Sequence, residues 1–120
     1  MNPNLIIDFP EADKINNVQV VSFEGEFDKA GFAEIKDKIT DFVKAFDLKV
    51  LIFDFTKLKY INSEGIGYLM EVHTHLVQRD RKFVVVGLTA NVKDVFSAIG
   101  IAEIIPIFDS VNDYLNSVSK

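Results

Sequence analysis

Two short apolar runs constrain this chain more than any other feature: Val50-Leu51-Ile52-Phe53 and the apolar part of Lys82–Val86. Each is short and unbroken, without the alternation of a strand that has one wet face. Each therefore reads as a strand buried on both faces of a sheet. The stretches between them have a different period. Phe32, Ile35, Ile39, Phe42, Val43 and Phe46 recur at three or four residues, as do Ile66, Leu69, Met70, His73, Leu76 and Val77. Those are amphipathic helices. Buried strands alternating with such helices argue for a mostly parallel sheet.

The remaining segments fill in the order. Leu5 to Phe9 is a short strand, ended by Pro10 and a polar turn through Asn16-Asn17. Val18 to Glu24 is a second strand, rich in β-branched residues and paired antiparallel with the first. Asp54 ends the third strand, and Phe55 to Asn62 reads as a loop. Val92, Val95, Phe96 and Ile99 mark a third helix, stopped by Gly100. Ile104 to Phe108 is a last strand, placed at a sheet edge by Pro106. Val111, Tyr114, Leu115 and Val118 form a final helix. The expected order is ββαβαβαβα. It describes one α/β domain over residues 1–120, with a central mixed sheet and four to five helices packed mainly on one face.

Composition narrows the functions. A chain of 120 residues, 48% hydrophobic with eleven Phe, has enough apolar surface for a core without staples. The absence of Cys removes disulfides, thiolate zinc sites and cysteine nucleophiles together. A formal net charge of −5 argues against nucleic acid as a partner. The longest base-rich stretch, Lys49 to Lys82, is interrupted by Asp54, Glu64, Glu71 and Asp80. No run approaches the ~20 apolar residues that cross a bilayer, and Met1 to Leu5 is unlike the start of a signal peptide. A cytoplasmic protein that does not insert into membranes is the expectation. Asp8 to Asp28 holds six acids and one base, Lys14, which would suit a basic partner surface.

Function in such sheets gathers where strands end. Here that means Gly25-Glu26-Phe27-Asp28 and the run from Asp54-Phe55-Thr56 to Ser63. Ser63 stands where loop becomes helix. Either Asn62 or Ser63 can cap that helix, and a phosphate on Ser63 would meet free N–H groups at the positive end of the helix dipole. Ile61-Asn62-Ser63-Glu64-Gly65 half-matches a nucleophile elbow. The only histidines, His73 and His75, lie on the helix that Ser63 opens and cannot turn back to its hydroxyl, which argues against a serine hydrolase. Glu71, His73 and His75 lack the i, i+4 spacing of a zinc helix, with His73 on the apolar stripe and His75 on the outer face. Asp54 invites comparison with a phosphoaspartate receiver. However, Asp8-Phe9-Pro10 offers no acidic pair for Mg²⁺, and the last strand has no Lys.

Four stretches in register resemble the STAS domain family, and in particular its stand-alone anti-sigma factor antagonists. Gly25-Glu26-Phe27-Asp28 resembles that family's Gly-x-Leu-Asp turn. Leu51-Ile52-Phe53-Asp54-Phe55-Thr56 resembles its strand ending in Asp-Leu-Ser. Ile61-Asn62-Ser63-Glu64-Gly65-Ile66-Gly67 is similar to the loop Met-Asp-Ser-Ser-Gly-Leu-Gly, whose first Ser is the regulatory phosphosite. Ile104 through Tyr114 resembles the closing strand and helix.

The resemblance implies a bacterial, non-enzymatic switch in transcription regulation that needs no cofactor or metal of its own. Unphosphorylated at Ser63, it binds an anti-sigma factor with serine kinase activity; phosphorylated, it releases it, and a metal-dependent serine phosphatase resets it. By position, Asn62, Glu64, Gly65 and Gly67 would present Ser63, with Gly65 and Gly67 admitting a partner backbone. Asp28, Asp54 and Thr56 would line the neighbouring surface. Two departures stand out: Asn62 replaces the usual Asp and removes a charge, while Glu64 replaces Ser or Thr and adds one. A constitutive STAS binding module, acting as a scaffold or transporter accessory subunit, is the alternative.

Overall fold

The computed structural model describes residues 3–119. The elements are β1 (Leu5–Asp8), β2 (Val18–Phe27), α1 (Lys29–Ala45), β3 (Val50–Ile61), α2 (Ser63–Gln78), β4 (Lys82–Val86), α3 (Ala90–Ile99), β5 (Ile107–Phe108) and α4 (Val111–Val118), with a 3-10 turn at Ile101–Glu103. The sheet order is β1-β2-β3-β4-β5. β1 runs antiparallel to β2, and every other neighbour is parallel. This is the mixed sheet that the alternating periods predict.

Strand alternation sorts the core into two layers. Leu51, Phe53 and Phe55 of β3 and Phe83 and Val85 of β4 face one side. There they meet Ile35, Ile39 and Val43 of α1, Ile66, Leu69, Val72 and Leu76 of α2, and Val92 and Phe96 of α3. Ile52, Val84 and Val86 face the other side, which is closed by Tyr114 with Val111 and Leu115 of α4. Phe23 binds the larger layer together, with ring centroids 4.7 Å from Phe53 and 5.2 Å from Phe55, while Phe53 lies 4.8 Å from Phe83. Each fully buried Phe contributes roughly 1.5–3 kcal/mol. Between α1 and α2, the Thr40 and Tyr68 hydroxyls hydrogen-bond at 3.0 Å, and burial raises the Tyr68 phenol above its ordinary pKa.

Two expectations need correction. Asp54 does not end β3, and residues 55–61 are strand rather than loop. They pair with β2 through Lys57–Glu24, Leu58–Gly25, Tyr60–Glu26 and Ile61–Phe27, with register shifts between Ser22 and Glu24 and between Gly25 and Glu26. Each shift inserts an extra residue on β3, so its buried positions Phe55, Leu58 and Ile61 recur at three rather than two. That spacing conceals a strand from any search for alternation. Gly25, expected in a turn, lies within β2 at φ +114, where a Cβ would strike the Asn4 carbonyl. The second correction concerns the last strand. Only Ile107–Phe108 is extended, and Ile101–Glu103 forms the 3-10 turn. Pro106 precedes β5, and its carbonyl accepts from the Val85 N–H at 3.1 Å, so it still marks the sheet edge.

Candidate functional site

β4 pairs with β3 only as far as Asp54–Val86, so the ends of β2 and β3 project beyond it as a parallel pair. Thr89 covers that extension, its hydroxyl donating to the Leu58 carbonyl at 2.8 Å. At the tip, the Asn62 N–H donates to the Phe27 carbonyl at 3.0 Å. That bond sets the starts of α1 and α2 side by side.

The two helix starts are built alike. Asp28 and Asn62 are both N-caps with extended backbone. The Asp28 carboxylate accepts from the Gly31 N–H at 2.8 Å, and the Asn62 side-chain oxygen accepts from the Gly65 N–H at 2.9 Å. Both glycines are buried. A Cβ on Gly31 would strike the Glu26 carbonyl, and one on Gly65 would lie 2.7 Å from both Ile61 Cγ1 and Phe27 Cδ1. Gly31 is a residue that sequence reasoning missed, although its signal is the Asp-x-x-Gly spacing repeated in Asn62-x-x-Gly65.

Asn62 thus takes the cap, and Ser63 and Glu64 stand exposed as the first two residues of α2. The positive ends of two helix dipoles meet here with the carboxylates of Asp28 and Glu64. Because an N-cap contributes about 1 kcal/mol, Asn62→Ala should lower unfolding free energy by that amount in a denaturant titration, whereas Asn62→Asp should retain it. Gly67 is exposed, with no atom within 4 Å of where a Cβ would stand. Gly67→Ala should therefore raise stability by about 0.5–1 kcal/mol, as expected in an open helix interior. Gly65 faces inward, which corrects the expectation that it admits a partner backbone.

Asp54 and Thr56 lie elsewhere. Ser22, opposite Asp54, is five residues from Phe27, roughly 17 Å at 3.3 Å per residue. The Asp54 carboxylate accepts from the Thr56 N–H at 2.9 Å and its hydroxyl at 2.5 Å. Gly87, at φ +74, packs against this pair so closely that a Cβ would strike the Thr56 hydroxyl. Asp54 and Thr56 line a groove of about 510 Å³ with Ile6, Asp8, Ser22 and Glu24. The sequence-derived set therefore divides into a helix-start group at Asp28 and 62–65, and a groove group at Asp54 and Thr56.

The histidines separate as their spacing requires. His73 lines a groove with Phe83 and Tyr114, while His75 borders a small cavity with Thr40, Lys44 and Tyr68. His75 is half-buried rather than on an outer face, because α1 packs over it. Among the described residues, no group of three or more His, Asp or Glu is arranged to hold a metal ion, and no helix is long and apolar enough to cross a membrane.

A mixed five-stranded sheet, with its distinctive residues at paired helix starts, defines an α/β domain of the STAS fold. The STAS domain family model matches residues 9–114, and the chain belongs to that family. Solved structures support the same fold. An anti-sigma factor antagonist from Mycobacterium paratuberculosis is 21% identical over 97% of this chain and 95% of its own, with a TM-score of 0.82. The Bacillus cell fate determinant SpoIIAA in its phosphorylated form is 16% identical over 94% and 99%, with a TM-score of 0.68. A sulfate transporter family protein from Wolinella succinogenes is 18% identical over 84% of each chain, with a TM-score of 0.71.

Proposed function

We propose that this protein is an anti-sigma factor antagonist working as a phospho-switch in the bacterial cytoplasm. Unphosphorylated at Ser63, it binds an anti-sigma factor with serine kinase activity; phosphorylation ends the contact, and a metal-dependent serine phosphatase restores it. Its role is to bind rather than catalyse. The observation that carries this reading is the division of labour at the start of α2. Asn62 caps the helix through Gly65, so the exposed Ser63 hydroxyl is not needed for capping and can be modified without losing the cap. Asp28 belongs to the same surface through the Asn62–Phe27 bond, with Glu64 and Gly67 exposed along α2. Gly65 contributes by shaping the loop from within. Asp54 and Thr56, at the sheet groove, would meet only a partner that reaches down the β2–β3 extension. Similarity to an antagonist and to a phosphorylated determinant supports the reading.

Glu64 favours the alternative of a constitutive binding module, because its carboxylate already occupies the position beside the acceptor. Affinity capture from native lysate with the wild-type chain and Ser63→Asp distinguishes the two. A serine-kinase ATPase retained by wild type and lost with Ser63→Asp supports the switch. A transporter complex retained by both forms supports the constitutive module.

A further inference from the structure

We propose that the end of the molecule opposite Ser63 carries a second interface, a basic groove that binds an acidic, amphipathic peptide segment of a partner protein. The groove measures about 1110 Å³ and lies where β3 and β4 begin. Lys49 and Lys82 stand side by side there, with the Lys82 N–H donating to the Lys49 carbonyl at 2.8 Å. Arg79 and Arg81 flank the turn after α2. Asp80, among the described residues the one carboxylate side chain lining the groove, occupies that turn at φ 59. Among the described residues, four cationic residues and a single acidic one thus line this groove, in a chain whose net charge is −5.

Among the described residues, the guanidinium groups donate to carbonyls rather than to carboxylates. Arg81 donates to the Leu48 carbonyl at 3.0 Å, Arg79 to the Lys44 carbonyl at 3.4 Å, and Arg81 Nε is buried without a partner. Each guanidinium has five N–H donors; with Arg81 Nε enclosed, the terminal N–H groups not used on these carbonyls are the ones left for a carboxylate. The wall beside them is apolar and open: Val77 is 53% exposed, Ile104 48% and Val118 52%. Exposed aliphatic side chains beside a row of cations match a segment that carries carboxylates on one side and apolar residues on the other. An open groove of this size, without a Gly-rich phosphate loop, suits an extended or helical peptide better than an enclosed small molecule.

The site is independent of Ser63. The ten residues of β2 run between the two ends, roughly 30 Å, so one partner at the starts of α1 and α2 leaves this groove free for another. The test is selection of a displayed library of random 12-residue peptides on the intact chain, followed by titration of the enriched peptides. Enrichment of acidic peptides with spaced apolar residues is expected, with affinity falling at least tenfold in Lys49→Glu/Lys82→Glu and in Ile104→Ser. Binding should also weaken as salt rises from 50 to 300 mM. Backbone NMR shifts should move at Val50, Val77 and Ile104 and not at Ser63. Enrichment of neutral or basic peptides, or affinities unchanged in the variants, would overturn the proposal. Binding to phosphatidylglycerol vesicles without any acidic-peptide binding would overturn it in favour of a membrane surface.

Discussion

Phosphorylation of Ser63 is expected to weaken binding of the kinase partner by about a hundredfold or more while leaving the domain folded. The modification adds about −1.5 to −2 charges at neutral pH. In the free protein these charges stand exposed at the first position of α2, where the N-terminal dipole offsets part of their cost. In a complex they would be pressed against a partner beside the existing carboxylates of Asp28 and Glu64. A desolvated, unpaired charge there costs several kcal/mol, which is two or more decades of affinity. Ser63→Ala should bind as wild type and resist phosphorylation. Its stability should change by less than about 0.5 kcal/mol, as at other exposed sites, because Asn62 holds the cap. Ser63→Asp should fold normally and bind more weakly, with a smaller effect than phosphate because it carries less charge. Glu64→Ser removes one carboxylate and should relieve part of the penalty in the phosphoprotein. Calorimetric titration of the partner against these forms measures the affinities, and denaturant titration the stabilities. Phosphate labelling that persists in Ser63→Ala would end the switch and leave a constitutive module. Tighter binding of the phosphoprotein would mean that the partner presents an Arg to this corner.

Gly65→Val should be strongly damaging, and it should act on folding. The new Cβ would lie 2.7 Å from Ile61 Cγ1 and from Phe27 Cδ1, two side chains that are themselves fully buried. Overpacking of this kind costs about 3 kcal/mol, and Val further loses side-chain freedom in a helix. The melting temperature should fall by on the order of 10 °C. Gly67→Val is the matched control, since the same side chain two residues on enters open space. It should melt within a few degrees of wild type, and any loss of partner binding would then place the exposed face of α2 in the contact. An unchanged melting temperature for Gly65→Val would mean that the Phe27–Ile61 corner yields more readily than its burial implies.

Much of this protein is legible from residue order alone. The runs at Val50–Phe53 and Lys82–Val86 could be satisfied only by covering both faces of a sheet, and the 3.6-residue stripes between them supplied the cover. The antiparallel first pair, the Gly100 stop and the edge position of Pro106 follow from local chemistry in the same way. The cap at the start of α2 was narrowed to Asn62 or Ser63, since both side chains can accept from a helix N–H. Choosing between them needed the geometry, in which Asn62 reaches the Gly65 N–H and Ser63 is left facing solvent.

Sequence by itself determined the element order, the mixed sheet and the two-sided burial of β3 and β4, because periodicity within one element reports which of its faces is wet. Tertiary structure alone decided how far β2 and β3 run, where β5 begins and which residues meet. The register shifts in β3 turn a period of two into a period of three at Phe55, Leu58 and Ile61, so the strand is visible only against its partner β2. The same extension carries Asn62 to the Phe27 carbonyl and leaves Asp54 roughly 17 Å behind, with Thr56 beside it. Convergence of Lys49, Arg79, Arg81 and Lys82 against three exposed aliphatic residues likewise depends on how four distant segments pack. A local pattern encodes a face; only the folded chain encodes a neighbour.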